Sequence, residues 1–150
     1  MAALTDKVTG LDVKQQVALL KSVDIFSGLT DRQLRMVAQA LKVMRFSAGA
    51  ELTHEGDTDS RFYLIVEGTV KVSVKGRKRA ELGPGKYLGE ISVIDGQPRS
   101  ATAVALTDVV ALSAAAWNLE TVLKKNPTVA LSILREMCRR LRSLEKSLTD

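Results

Sequence analysis

The sequence predicts an α+β domain: an antiparallel β-roll of jelly-roll type with about eight strands, flanked by amino-terminal helices and a long carboxy-terminal helix. Three observations lead there. Eight of the ten glycines fall between residues 49 and 96, and none follows residue 96, so tight turns are confined to the middle of the chain. Within that middle, Lys71, Val72, Ser73, Val74 and Lys75 alternate with period two, whereas Phe62, Tyr63, Leu64, Ile65 and Val66 are apolar at every position. A half-buried strand beside a strand covered on both faces calls for a closed or sandwiched sheet. The segments on either side repeat with helical spacing instead.

Taken in order, Leu11, Val13, Val17, Leu20 and Val23 form one helical stripe. Thr30 with Gln33 three residues on resembles a capping box that opens a second helix through Leu34, Val37, Ala38 and Leu41. These amino-terminal helices are assigned to residues 11–44 and the β-roll to 45–113. Inside the roll, Gly76, Arg77 and Lys78 read as a hairpin tip before Ala80 and Leu82, and two short strands, 101–106 and 109–112, are separated by Thr107 and Asp108. Residues 114–150 are assigned to helix. A short helix over 115–125 stops at Asn126–Pro127, where the chain restarts because proline is tolerated in a first turn. Along the last helix Pro127, Ala130, Leu134, Met137, Leu141, Leu144 and Leu148 follow the alternating three-and-four spacing of a two-stranded seam. The same stripe also suits a helix lying on its own domain. With two helices already available to cover the roll, a homodimer through this helix is the preferred reading.

Composition narrows the function. The chain has 150 residues, 45% hydrophobic and 26% charged, which describes one globular domain spanning 1–150. Its apolar runs are far short of the ~20 residues of a membrane span, and the polar start at Thr5, Asp6 and Lys7 is no signal peptide, so a cytoplasmic protein without a membrane span is expected. A single cysteine, Cys138, and a single histidine, His54, leave disulfide, iron–sulfur, structural zinc, haem and cupin-type metal chemistry without parts. The expectation is a non-enzyme with no metal and no cofactor. The net charge is +5, and from Lys124 onward there are seven basic residues against three acidic ones. Such a helix attracts polyanions without reading sequence, a solvated face is the preferred account of it, and no specific nucleic acid partner is expected. The basic run Arg77–Lys78–Arg79 and the last helix are the candidate surfaces on which an acidic protein effector, of unknown identity, would dock, with plain solvated surface the preferred reading of both.

Chemistry concentrates between residues 89 and 101. A short helix starting at Gly89 and running to about residue 94 would present unpaired backbone N–H groups to an anion. Arg99 follows on a loop stiffened by Pro98, and a guanidinium grips two oxygens of one phosphate where lysine offers a point charge. Glu90 is out of place beside an anion unless it accepts from a donor of the same ligand, and a ribose hydroxyl is such a donor. Glycine turn, acid and arginine together describe a ribose phosphate.

The stretch resembles the phosphate-binding cassette of cyclic nucleotide-binding domains, the sensor modules of catabolite activator protein and of the regulatory subunits of cyclic-AMP-dependent protein kinase. Asp24–Ile25–Phe26–Ser27–Gly28–Leu29, Glu55–Gly56–Asp57 followed by Phe62–Tyr63–Leu64–Ile65, and Glu67–Gly68–Thr69–Val70 are similar to further landmarks of that family and occur in its order. The resemblance implies that Glu90 accepts the ribose 2′-hydroxyl, that Arg99 neutralises the cyclic phosphate, that Ser100 touches phosphate or base, and that the amides of Gly89, Ile91 and Ala101 complete the cassette together with Ser92. It implies a ligand-binding sensor for cyclic AMP in preference to cyclic GMP, with the terminal helix moving against the base. Counting from Arg99 through Asn126–Pro127 puts Arg140 where bacterial activators have an adenine-contacting arginine, and Leu144 where they have a hydroxyl. Leu88 stands where the family usually has an aromatic, with Tyr87 one position earlier. A second reading, a regulator of the catabolite-activator type lacking its DNA-binding domain, follows from the same resemblance, since no recognition helix follows the heptads.

Overall fold

The computed structural model describes residues 4–5, 12–58, 61–89 and 95–149. Helix α1 (Val13–Lys21), a 3-10 turn (Asp24–Phe26) and α2 (Asp31–Gln39) precede the sheets. Both amino-terminal helices open on reciprocal caps. Asp12 Oδ1 accepts from the Gln15 amide at 2.8 Å, and the expected Thr30–Gln33 box is present, with Thr30 Oγ1 accepting from the Gln33 amide at 3.2 Å and Gln33 Oε1 from the Thr30 amide at 3.0 Å. Each cap satisfies two of the donors a helix start leaves open.

Among the described residues nine strands follow or flank these helices: β1 (Leu4–Thr5), β2 (Lys42–Phe46), β3 (Glu51–Thr53), β4 (Arg61–Glu67), β5 (Val70–Val74), β6 (Arg77–Leu82), β7 (Tyr87–Leu88), β8 (Thr102–Ala105) and β9 (Val109–Ala115). They form two antiparallel sheets, β1-β2-β9-β4-β7 and β3-β8-β5-β6. The roll begins at Lys42 and ends at Ala115, a few residues outside the 45–113 read from the sequence. Strand β1 was not expected at all, because two residues carry no periodicity. The hairpin tip also lies earlier than expected: Lys75 and Gly76 both take positive φ, 52° and 77°, so the two-residue turn is complete before Arg77 and the basic run is part of β6.

The run at residues 62–66 is covered on both faces, as its composition requires. Phe62 and Leu64 belong to one core with Leu20, Phe26, Leu34 and Leu112. Tyr63 and Ile65 point the other way, into a second core with Phe46, Val70, Ala103 and Ala111 between the sheets. Strand β4 is therefore the partition between a helix-side and a roll-side interior.

Helix α3 (Ala116–Lys125) ends at Asn126, whose buried side chain donates to the Val122 carbonyl at 2.9 Å, and α4 (Pro127–Thr149) restarts at the proline. Helix α4 docks through Val129 and Ile133, which are buried, and Met137 of the heptad stripe packs against the same core. Leu134, Leu141 and Leu144 are each almost 60% exposed and Leu148 80%. Among the described residues no helix is long and apolar enough to cross a membrane.

Candidate functional site

Arg99 is the buried charge among the described residues. Its side chain is 5% exposed, although its neighbours in the sequence, Pro98 and Ser100, are exposed. Main-chain hydrogen bonds hold it there. The Arg99 amide donates to the Asp57 carbonyl at 2.8 Å, and the Gly56 amide donates to the Arg99 carbonyl at 3.0 Å, so the 54–57 turn clamps the loop from both sides. Glu55 anchors that turn: its amide donates to Thr102 Oγ1 at 3.0 Å, and its Oε1 accepts from the Lys75 amide of the β5–β6 turn at 2.8 Å. The guanidinium is oriented by Nη2 donating to the Arg61 carbonyl at 2.7 Å.

Gly89 makes room for that guanidinium. Its φ is +92°, and a Cβ built there would lie 2.1 Å from the Arg61 oxygen and 2.8 Å from Arg99 Nη1. Only glycine can sit at this junction of β7, β4 and Arg99. The sequence assigns Gly89 to an anion-binding helix start; the structure adds a packing reason that no local pattern could reveal.

These groups open onto a cavity of about 290 Å³, close to the lower end of the size range of small-molecule sites. Val72, Ala80, Leu82 and Ala103 supply apolar walls, Tyr87 and Leu88 line the β7 side, and Thr53, Ser100 and Ala101 lie near the Arg99 loop. Thr53 Oγ1 donates to the Ala101 carbonyl at 3.0 Å. Arg140 reaches the same cavity from α4. Thus Gly89, Arg99, Ser100, Ala101 and Arg140, scattered over fifty residues, meet around one space. Glu90, Ile91 and Ser92 lie outside the described residues. Leu144 is exposed on α4 and does not line the cavity.

A guanidinium stays protonated in any protein environment, so an apolar cavity with Arg99 in its wall suits a compact anion whose remaining surface is not strongly charged. Among the described residues no group of three or more His, Cys, Asp or Glu side chains could hold an ion. His54 is exposed, with Nδ1 2.8 Å from Glu51 Oε2. The hydrogen bond and negative charge of Glu51 raise its pKa above the ordinary imidazole value. Because the folded-state pKa is the higher one, this pair stabilises the fold fully below about pH 6.5, and its contribution disappears as the pH rises through the folded pKa. As the chain has one histidine, a single imidazole resonance followed by NMR should titrate above 6.5, and Glu51→Gln should move its midpoint down towards that value.

Comparison with known proteins places the chain in a family. The family model described as the cyclic nucleotide-binding domain matches residues 43–126. A cyclic nucleotide-gated potassium channel of Mesorhizobium japonicum is 34% identical over 112 residues, which are 75% of this chain and 31% of the channel. A CRP-like cAMP-activated global transcriptional regulator of Mycobacterium tuberculosis is 28% identical over 137 residues, 88% of this chain and 61% of the regulator. The crystal structure of Thermus thermophilus catabolite activator protein superposes with a TM-score of 0.77 at 28% identity, covering 84% of this chain and 62% of that one. The chain spans less than two thirds of each of these three relatives. With the matched segment running from β2 to the end of α3, this chain belongs to the cyclic nucleotide-binding domain family.

Proposed function

We propose that this chain is a cyclic nucleotide sensor, with cyclic AMP preferred to cyclic GMP, and that it performs no chemistry. The observation that carries the reading is the Arg99 guanidinium, 5% exposed in the wall of an otherwise largely apolar cavity within a domain of this family. In this reading Arg99 pairs with the ring phosphate, whose single negative charge it compensates away from water. The amides of Gly89, Ile91 and Ala101 and the hydroxyls of Ser92 and Ser100 supply further donors, Glu90 accepts the ribose 2′-hydroxyl, and Arg140 faces the base. Nucleotide shifts a two-state equilibrium in proportion to its differential affinity for the two positions of α4. Signal output then passes to a protein effector.

Titration calorimetry with cyclic AMP and cyclic GMP tests the proposal directly. Saturable heat with the adenine nucleotide bound more tightly supports it. An absence of heat and of thermal stabilisation with every cyclic nucleotide at millimolar concentration overturns it.

The exposed leucines of α4 support a second part of the reading, self-association. Leu134, Leu141 and Leu148 recur every seven residues with Leu144 between the last two, and all four are exposed. A second copy of the same helix is the partner whose spacing matches such a stripe over its whole length. Sedimentation is expected to give a dimer, and the double substitution Leu141→Glu with Leu148→Glu a monomer that retains nucleotide binding. A wild-type protein that remains monomeric at submillimolar concentration would exclude the seam.

A further inference from the structure

Beyond residue 137, every described side chain of α4 through Leu148 is exposed, yet one of them reaches back to the sheets. Arg140 Nη2 donates to the Tyr87 hydroxyl at 3.1 Å, and its Cζ lies 5.4 Å from the centre of the Tyr87 ring. Tyr87 is itself fixed. It is paired in register with Leu64 of β4, and its ring packs 5.9 Å from Phe62, which stands 6.3 Å from Phe26. The opposite side of Arg140 faces its own helix, where Nε is 3.9 Å from Glu136 Oε1. Tyr87 and Arg140 both line the cavity that holds Arg99 and both line a neighbouring polar cavity of about 400 Å³ bounded by Ser22, Asp24 and Glu136. Together with Leu82, the pair forms the wall between the two.

We propose that Tyr87 is a positioning residue: its hydroxyl holds Arg140 in the cavity wall before nucleotide arrives and thereby ties the angle of α4 to the nucleotide site. A long arginine side chain ordered only on binding costs rotamer freedom that a side chain already in place does not. The tyrosine ring alone retains the stacking on Phe62 and the face presented to the cation. The acceptor is what phenylalanine lacks, and a buried or half-buried phenol is expected to have such a partner. The inference rests on the cyclic nucleotide reading above for its effect on affinity, but its structural half stands without a ligand.

Tyr87→Phe, Arg140→Ala and the double variant test it, together with the wild type, by hydrogen exchange without nucleotide and by calorimetry with cyclic AMP. Without nucleotide, Tyr87→Phe should speed exchange in the second half of α4 while leaving β4 and β9 protected and the thermal midpoint unchanged. With nucleotide, it should weaken binding by about five- to tenfold, and the double variant should bind as Arg140→Ala alone does. Unchanged exchange in α4, or two substitutions whose effects on affinity multiply, would overturn the assignment. Failure of the wild type to bind any cyclic nucleotide would instead remove the sensor reading and the affinity role with it, and the exchange result would then decide the structural half by itself.

Discussion

Replacing Arg99 by alanine is expected to weaken cyclic nucleotide binding by about 100-fold or more, with thermal stability of the free protein little changed or raised. The expectation follows from burial. A singly charged phosphate drawn into a cavity of largely apolar walls loses its water, and without a countercharge it is left at a cost of several kcal/mol; each factor of ten in affinity corresponds to about 1.4 kcal/mol. Removing the guanidinium also removes a charge that the empty-handed protein must keep out of water, which is why stability need not fall. Arg99→Lys separates charge from geometry. Lysine retains the charge, but its donors sit on one nitrogen and lack the planar fork that can grip two phosphate oxygens and also reach the Arg61 carbonyl, so it should recover only part of the loss. Calorimetry on the two variants reads both effects, and an alanine variant with wild-type affinity would dismiss Arg99 as the phosphate partner.

The second large effect is expected at Gly89. Alanine there must adopt a positive φ and bring its Cβ into the Arg61 carbonyl and the Arg99 guanidinium, so the β7 end has to move; a loss of about 2–4 kcal/mol in unfolding free energy is expected. Affinity should fall with it, because the group displaced is the one facing the ligand. Gly68 offers the control. Its φ is +91°, and a Cβ would meet the Asp108 carbonyl at 2.2 Å, but it lies at the β4–β5 turn away from the cavity lining. Gly68→Ala should therefore cost similar stability with nucleotide affinity unchanged. Denaturant unfolding and calorimetry on the pair distinguish a strained glycine from a strained glycine that also shapes the site; equal affinities for the two variants would show that Gly89 matters only for folding.

Much of this was legible in the chain. The unbroken apolar run at residues 62–66 required two cores because no strand can hide five consecutive apolar side chains on one face, and β4 indeed serves both. The capping box at Thr30 is a four-residue signal and was readable as such. Arg99 was read from its own stretch, where a glycine turn, an acid and an arginine lie close together, whereas Arg140 was legible only through the family resemblance, since an arginine on a basic helix is individually unremarkable. What escaped depends on contacts between distant residues. The Gly89 approach to Arg61, the Glu55 link to Lys75 and the Tyr87–Arg140 contact join positions twenty to fifty-three apart, and no window of local periodicity spans them. The heptad stripe of α4 was real as a pattern, but the helix docks chiefly through Val129 and Ile133, joined by Met137 alone of the stripe's later positions, because the surface that receives it is set by Leu20, Phe26 and their neighbours and not by the helix.

The clamp on Arg99 is made of amides and carbonyls. Gly56 and Asp57 grip the main chain on either side of the arginine, and neither bond consults a side chain. The exposed residues just before it, Gln97 and Pro98, are thereby released from any duty to the guanidinium they deliver. Such a loop can drift in composition, acquire a new surface for a different protein neighbour, and still hand the same positive charge to the same spot, so that tuning of what the domain talks to is mechanically insulated from what it senses.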